Sequence, residues 1–184
     1  MIPLSHITVA TSSHQSDDPV GTYVRGLGAS VFRGSLEDVV GRFQACLQEH
    51  SCDWLLRLCA DSPLLDTELL RTMLSYAGRA DLDLVTNIFP RSFPKGKTIE
   101  MLRAATFAGL DSSRMSVEQR EHLTRFYYDN PDRFRIENVE SDGPNLAHVN
   151  LSVDTIDDLR RLESFSDEGA VALSSPLATD PTLK

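Results

Sequence analysis

Two aspartates speak most directly to chemistry: Asp61 in A-D-S-P-L-L-D and Asp154 in L-S-V-D-T. Each follows an apolar run, residues 54–60 and 148–153, that reads as a β-strand. In open α/β sheets ligands bind beyond the carboxyl ends of the strands, so both residues are expected on one rim of the sheet. Paired carboxylates there suit a hard divalent ion such as Mg2+, with water and phosphate oxygens in its remaining positions. A cation held this way neutralises charge at a reacting phosphate. The alternative use of each Asp is as a cap for the helix that follows, a position that Asp favours. The loop P-R-S-F-P-K-G, residues 90–96, gathers Arg91 and Lys95 with Lys97 just beyond, and R-E-H-L-T carries Arg120 and His122. Guanidinium forks match carboxylate and phosphate geometry, which makes Arg91 and Arg120 candidates for gripping an acidic substrate, or else solvated surface cations.

The elements that must position these residues alternate in type. Strands are expected at residues 6–11, 31–33, 54–60, 82–87, 134–139 and 148–153. Helices are expected at 17–28, 35–50, 66–76, 99–107, 117–128 and 155–162. Residues 54–60, W-L-L-R-L-C-A, form a near-continuous apolar run of the kind buried on both faces of a parallel sheet. Strands alternating with helices imply right-handed crossovers and an α/β fold, three-layered, with a mainly parallel sheet and helices on both faces. One domain over residues 1–163 is expected, with a flexible tail over 164–184, where Ser, Asp, Glu, Thr and two prolines dominate.

Bulk properties narrow the function. The chain has 184 residues, 41% of them hydrophobic, and a formal net charge of −9. An acidic surface argues against general nucleic-acid binding, which requires cations to displace counterions. No stretch approaches the roughly 20 apolar residues of a membrane span, and Met-Ile-Pro-Leu-Ser-His is unlike a signal peptide. Cys46, Cys52 and Cys59 fit no zinc spacing, and a reducing cytoplasm is expected. Gly26-x-Gly28 lacks the third glycine of a dinucleotide fingerprint, and neither a Walker loop nor a nucleophile elbow is present.

Seven segments taken in order carry a resemblance. They are V-A-T-S, V-F-R-G-S-x-E-D-V, A-D-S-P-L-L-D, T-N-x-x-P-R-S-F-P-x-G, R-E-H-L-T, N-P-D-R-F-R-I and S-V-D-T, and they span about residues 6–163. Together they resemble the cytidylyltransferase family of the spore-coat polysaccharide type, with CMP-acylneuraminate and CMP-Kdo synthetases as more distant relatives. The resemblance implies transfer of CMP from CTP to a sugar or sugar acid, with pyrophosphate released and Mg2+ required. It implies Asp61 and Asp154 as metal ligands, Arg91, Phe93, Glu100, Arg120 and His122 on the sugar side, and Arg33, Gly34 and Ser35 near the nucleotide. The family's opening strand and its A-R-x-x-S-x-R-L-P-x-K triphosphate loop have no counterpart here, which implies a shortened enzyme with a gap in its sheet. The alternative is a non-catalytic relative that acts as a sugar-binding or regulatory subunit. A homodimer is also expected, through residues 99–128, where Met101, Leu102, Phe107, Leu110, Phe126 and Tyr127 offer apolar surface, or across an exposed sheet edge.

Overall fold

Alternating polar and apolar stretches resolve into six strands and seven α-helices over residues 2–167, the part of the chain that the computed structural model describes. Strand β1 (Thr8–Ser12) pairs in parallel with β2 (Ser30–Gly34), and α1 (Asp18–Gly26) connects them. Helix α2 (Val39–Gln48) leads on to β3 (Trp54–Leu58). Asp38 begins α2 by accepting a hydrogen bond from Gly41 N at 2.8 Å, so the helix starts four residues later than the sequence suggests.

A second sheet has the order β3–β5–β4–β6, where β4 is Leu84–Thr86, β5 is Ile99–Arg103 and β6 is Ile136–Asn138. Strands β4 and β6 run parallel, and β5 runs antiparallel to both of its neighbours. The expected helix over 99–107 is therefore replaced by β5 and a short α4 (Ala104–Ala108). Glu, Met, Leu and Arg favour a helix locally, but I-E-M-L-R occupies an interior strand with Ile99, Glu100, Met101 and Leu102 all buried. Burial on both faces overrides local propensity there. The sheet is mixed as a result, rather than mainly parallel.

The three layers stand as expected. On one face, Val40 of α2, Phe107 of α4 and Tyr127 pack with Leu84 and Leu102. On the other, Leu69 and Met73 of α3 (Thr67–Ser75) cover Val85, Ile99 and Met101. The expected helix over 117–128 breaks into α5 (Val117–Glu121) and α6 (Arg125–Asp129), with His122 extended between them at φ −104° and ψ 98°. Residues 148–153 make a single bridge, Asn150 to Lys95, in place of the expected strand. Helix α7 (Ile156–Asp167) continues past the expected start of the tail, and the rest of that tail lies outside the described residues. Among the described residues no helix is long and apolar enough to cross a membrane.

The two sheets share no ladder, so β1, β2, β3 and β6 each keep one unpaired edge among the described strands. Strand β3 is accordingly half-buried rather than enclosed, and Leu58 at its end is 42% exposed.

Candidate functional site

Pairing across the second sheet aligns one polar residue from each strand: Arg57 opposite Glu100, Glu100 opposite Thr86, and Thr86 opposite Asn138. Directly paired residues share a face, so the four form a polar row across the sheet near the carboxyl ends of β3, β4 and β6. Glu100 is fully buried, and both of its oxygens accept from protein donors. Arg57 Nη1 donates to Oε2 at 2.7 Å, and Thr124 Oγ1 and Tyr128 Oη each donate to Oε1 at 2.6 Å. Tyr128 Oη also meets Thr86 Oγ1 at 2.8 Å, and Phe89 stacks on the Tyr128 ring at 4.8 Å. Burial and the Glu100 charge both push the Tyr128 hydroxyl well above its ordinary pKa, so it stays a neutral donor. Burial works against the Arg57 charge, but Glu100 outweighs it and the guanidinium pKa is raised. A pocket of about 200 Å3 opens over this row, walled by Ile88, Leu123 and His122.

The basic loop is fixed by backbone contacts. Buried Asn87 closes its base, accepting from Ile99 N at 2.9 Å and donating to Lys97 O at 2.8 Å. Its tip is laid against the segment leading to Asp154: Lys95 N donates to Val149 O at 2.9 Å, and Leu151 N donates to Lys95 O at 2.7 Å. Gly96 makes this approach possible. Its φ is +92°, and a Cβ there would lie 2.5 Å from the Leu151 carbonyl carbon. Gly96→Ala is expected to destabilise the protein by about 1–3 kcal/mol through backbone strain and overpacking. Thermal unfolding measures this, and an unchanged midpoint would contradict the packing described.

The same segment reaches the end of β3, where Val153 N donates to Asp61 O at 2.8 Å. Asp61 and Asp154, distant in sequence, are thereby brought onto adjacent backbone at one rim. Asp61 accepts from Ser62 Oγ at 2.9 Å, and Asp154 pairs with Lys95 Nζ at 3.1 Å. Asp66 caps α3 through Glu68 N and Leu69 N, at 3.1 Å each, and pairs with Lys97 Nζ at 3.0 Å. Burial opposes the Asp66 charge, but these donors hold its carboxyl below the ordinary range. Asp61 and Asp154 offer only oxygen donors, beside ammonium groups already drawn to the rim, and that donor set fits a hard cation.

The other expected residues are distributed differently. Arg91 is half-buried and donates to Pro94 O at 3.3 Å and to Thr98 Oγ1 at 3.2 Å. The Phe93 ring packs against the α3-side core and lines neither of the two pockets described here. Arg33 binds Ser12 O, His14 O and Asp18, which ties β2 to the turn after β1. A Cβ at Gly34 would meet Arg42 Cγ at 2.7 Å, so that position serves close packing. Ser35 and Arg120 share a second pocket of about 230 Å3 with Glu37, Asp38 and Val117. The buried Nε of Arg120 has no hydrogen-bond partner there. His122 and Glu100 share the first pocket, so the R-E-H segment serves both. Arg57, Thr86, Thr124, Tyr128 and Asn138 escaped sequence reasoning; a lone arginine inside W-L-L-R-L was the available signal, because a charge in an apolar strand needs a partner.

A cytidylyltransferase family model matches residues 2–141. The chain belongs to the cytidylyltransferase family. This cytidylyltransferase relative is 27% identical over 166 residues to the spore coat polysaccharide biosynthesis protein SpsF of Bacillus subtilis, covering 87% of the chain and 66% of SpsF. The structure of a cytidylyltransferase from Leptospira borgpetersenii superposes with a TM-score of 0.82 at 27% identity, over 89% of this chain and 69% of that one. CMP:2-keto-3-deoxy-manno-octonic acid synthetase, solved in complex with CTP, shares the fold with a TM-score of 0.58 at 17% identity, over 83% and 78% of the two chains. The chain spans slightly under two thirds of the length of the curated relatives it matches, 64% and 66%.

Proposed function

We propose that the chain transfers CMP from CTP to a sugar or sugar acid, with Asp61 and Asp154 holding Mg2+ between them. The observation that supports this reading is the Val153–Asp61 backbone bond, which brings the chain at Asp61 and the chain leading to Asp154 together in a cytidylyltransferase fold. In the reaction an acceptor hydroxyl oxygen forms a bond to the α-phosphorus, the bond from that phosphorus to the bridging oxygen breaks, and pyrophosphate leaves with the electron pair. The acceptor proton passes to solvent. Bound Mg2+ supplies neutralisation of charge on the phosphates. Lys95 and Lys97 add positive charge beside the rim, and the pocket over Glu100 orients the acceptor. The CTP held by the structural neighbour and the polysaccharide pathway in the SpsF name support the nucleotide and the acceptor class. Pyrophosphate release from CTP across a panel of neutral and acidic sugars tests the proposal. Release that requires both acceptor and Mg2+ is expected, and no release with any acceptor from folded protein would overturn it.

One observation favours a second reading, a sugar-binding or regulatory subunit without catalysis. The Lys95 ammonium already pairs with Asp154 at 3.1 Å and occupies part of the cation's place. Sugar binding by saturation-transfer NMR without any nucleotide binding would select that reading.

A homodimer belongs to the same proposal, with a changed route. Met101, Leu102, Phe107 and Tyr127 are 0–1% exposed, so the residue 99–128 region gives its apolar surface to the core of its own chain. Among the free strand edges, those of β1 and β3, flanked by Ile7 at 41% and Leu58 at 42% exposure, offer a pairing surface. Sedimentation is expected to give twice the monomer mass of 20.4 kDa at micromolar concentration; a concentration-independent monomer would end the idea.

A further inference from the structure

The Arg57–Glu100 pair is not explained by stability. Replacing a buried ion pair with packed apolar residues is often neutral or stabilising, so such a pair in an otherwise apolar strand points to another use. Its two members are placed very differently. Glu100 has spent its oxygens on Arg57, Thr124 and Tyr128 and has little left for a ligand. Arg57 gives one N–H to Glu100, and its other N–H groups have no hydrogen-bond partner among the described residues. Its side chain is 26% exposed and lines the pocket of about 200 Å3.

The other cations near the pocket are already committed or lie outside its lining. Arg91 stands near enough to feel the Glu100 charge, yet its hydrogen bonds go only to the neutral oxygens of Pro94 and Thr98. Burial depresses the Arg91 pKa, and the Glu100 charge acts against that shift. At the pocket mouth Arg125 is matched by Glu118 at 2.9 Å and Asp129 at 2.7 Å, and it adds no free positive charge. The N–H groups of Arg57 that Glu100 leaves free suit an oxyanion, and guanidinium geometry matches a carboxylate or a phosphate. Pockets for drug-sized ligands run to about 300–1,000 Å3, so this one fits the acidic end of a small acceptor better than a nucleoside triphosphate.

We propose that Arg57 is the specificity-determining residue of this pocket, binding an acceptor carboxylate through the N–H groups that Glu100 leaves free, with Glu100 as the positioning residue that aims it. The assignment rests on the CMP-transfer reading for its acceptor, and its test is separable from that reading. The probes are 2-keto-3-deoxy-manno-octonic acid and its methyl ester, which differ in the carboxylate charge, titrated calorimetrically into the whole chain. The acid is expected to bind about 10- to 100-fold more tightly than the ester, as a charged hydrogen bond allows. Arg57→Lys keeps the charge and the Glu100 pair but loses the fork, and is expected to lose most of that ratio. The double variant Arg57→Met with Glu100→Gln leaves no buried unpaired charge and should bring the ratio near one. CTP affinity, measured in parallel, should stay unchanged in both variants. A wild-type ratio near one, no binding of either probe, or a ratio that survives in both folded variants overturns the assignment. So does a loss of CTP affinity in place of acid affinity, which would make the oxyanion a nucleotide phosphate. None of these outcomes bears on whether wild-type protein releases pyrophosphate from CTP.

Discussion

Asp61→Asn is expected to slow CMP transfer by about 100- to 1,000-fold at saturating CTP, the range seen when one preorganised electrostatic group is removed from a reacting phosphate or carbonyl. Asn keeps the size of the side chain and can still accept from Ser62, so the fold has no reason to change. What disappears is the negative charge that brings a cation to the rim. Asp154→Asn is expected to act similarly. The lost Lys95 pair costs little stability, because both groups are about half exposed and such pairs contribute about 0–1 kcal/mol. Since the two carboxylates act on one cation, the double variant should be scarcely slower than either single one. Initial rates at several Mg2+ concentrations measure this. Full activity in Asp61→Asn, or multiplicative losses in the double variant, would remove the pair from the mechanism.

Glu100→Ala is expected to cost about 3–5 kcal/mol of folding stability, the penalty for leaving one partner of a buried ion pair alone. Three donors lose their acceptor at once: the Arg57 guanidinium, the Thr124 hydroxyl and the Tyr128 hydroxyl. Domains of this size are stable by about 5–15 kcal/mol, so the loss is a large share of the total. It corresponds to a melting midpoint lower by roughly 6–20 °C. Glu100→Gln keeps an acceptor of the same shape and loses mainly the charge assistance, so its midpoint should lie between the two. Thermal unfolding of the three proteins gives the order directly, and equal midpoints for wild type and Glu100→Ala would refute the network.

Asp61 and Asp154 come onto adjacent backbone, but by a route other than the one the sequence suggests: β3 pairs only antiparallel and residues 148–153 form a single bridge, so the Val153–Asp61 backbone bond brings them together and not a row of parallel strands. The polar row was not legible, because Arg57, Thr86, Glu100 and Asn138 become neighbours only through the register of four strands. One of those strands, β5, reads as a helix until its burial on both faces is known. The R-E-H segment shows a finer limit. Its residues form one motif in sequence, yet the backbone turns extended at His122 and sends Arg120 and His122 to different pockets. Arg33 looked available for a nucleotide until the turn at Ser12–His14 folded back onto it. Phe93 read as a sugar contact, and the half-buried ring packs against the α3-side core.

The account turns on nucleotide binding at the Asp61–Asp154 rim, and calorimetric titration of CTP into the 184-residue chain tests it most directly. Binding in the micromolar range is predicted with Mg2+ present, abolished by EDTA and by Asp61→Asn, while the acid probe for the Arg57 pocket still binds that variant. No heat of binding from CTP and Mg2+ with folded wild-type protein would contradict it, as would CTP binding that Asp61→Asn leaves unchanged.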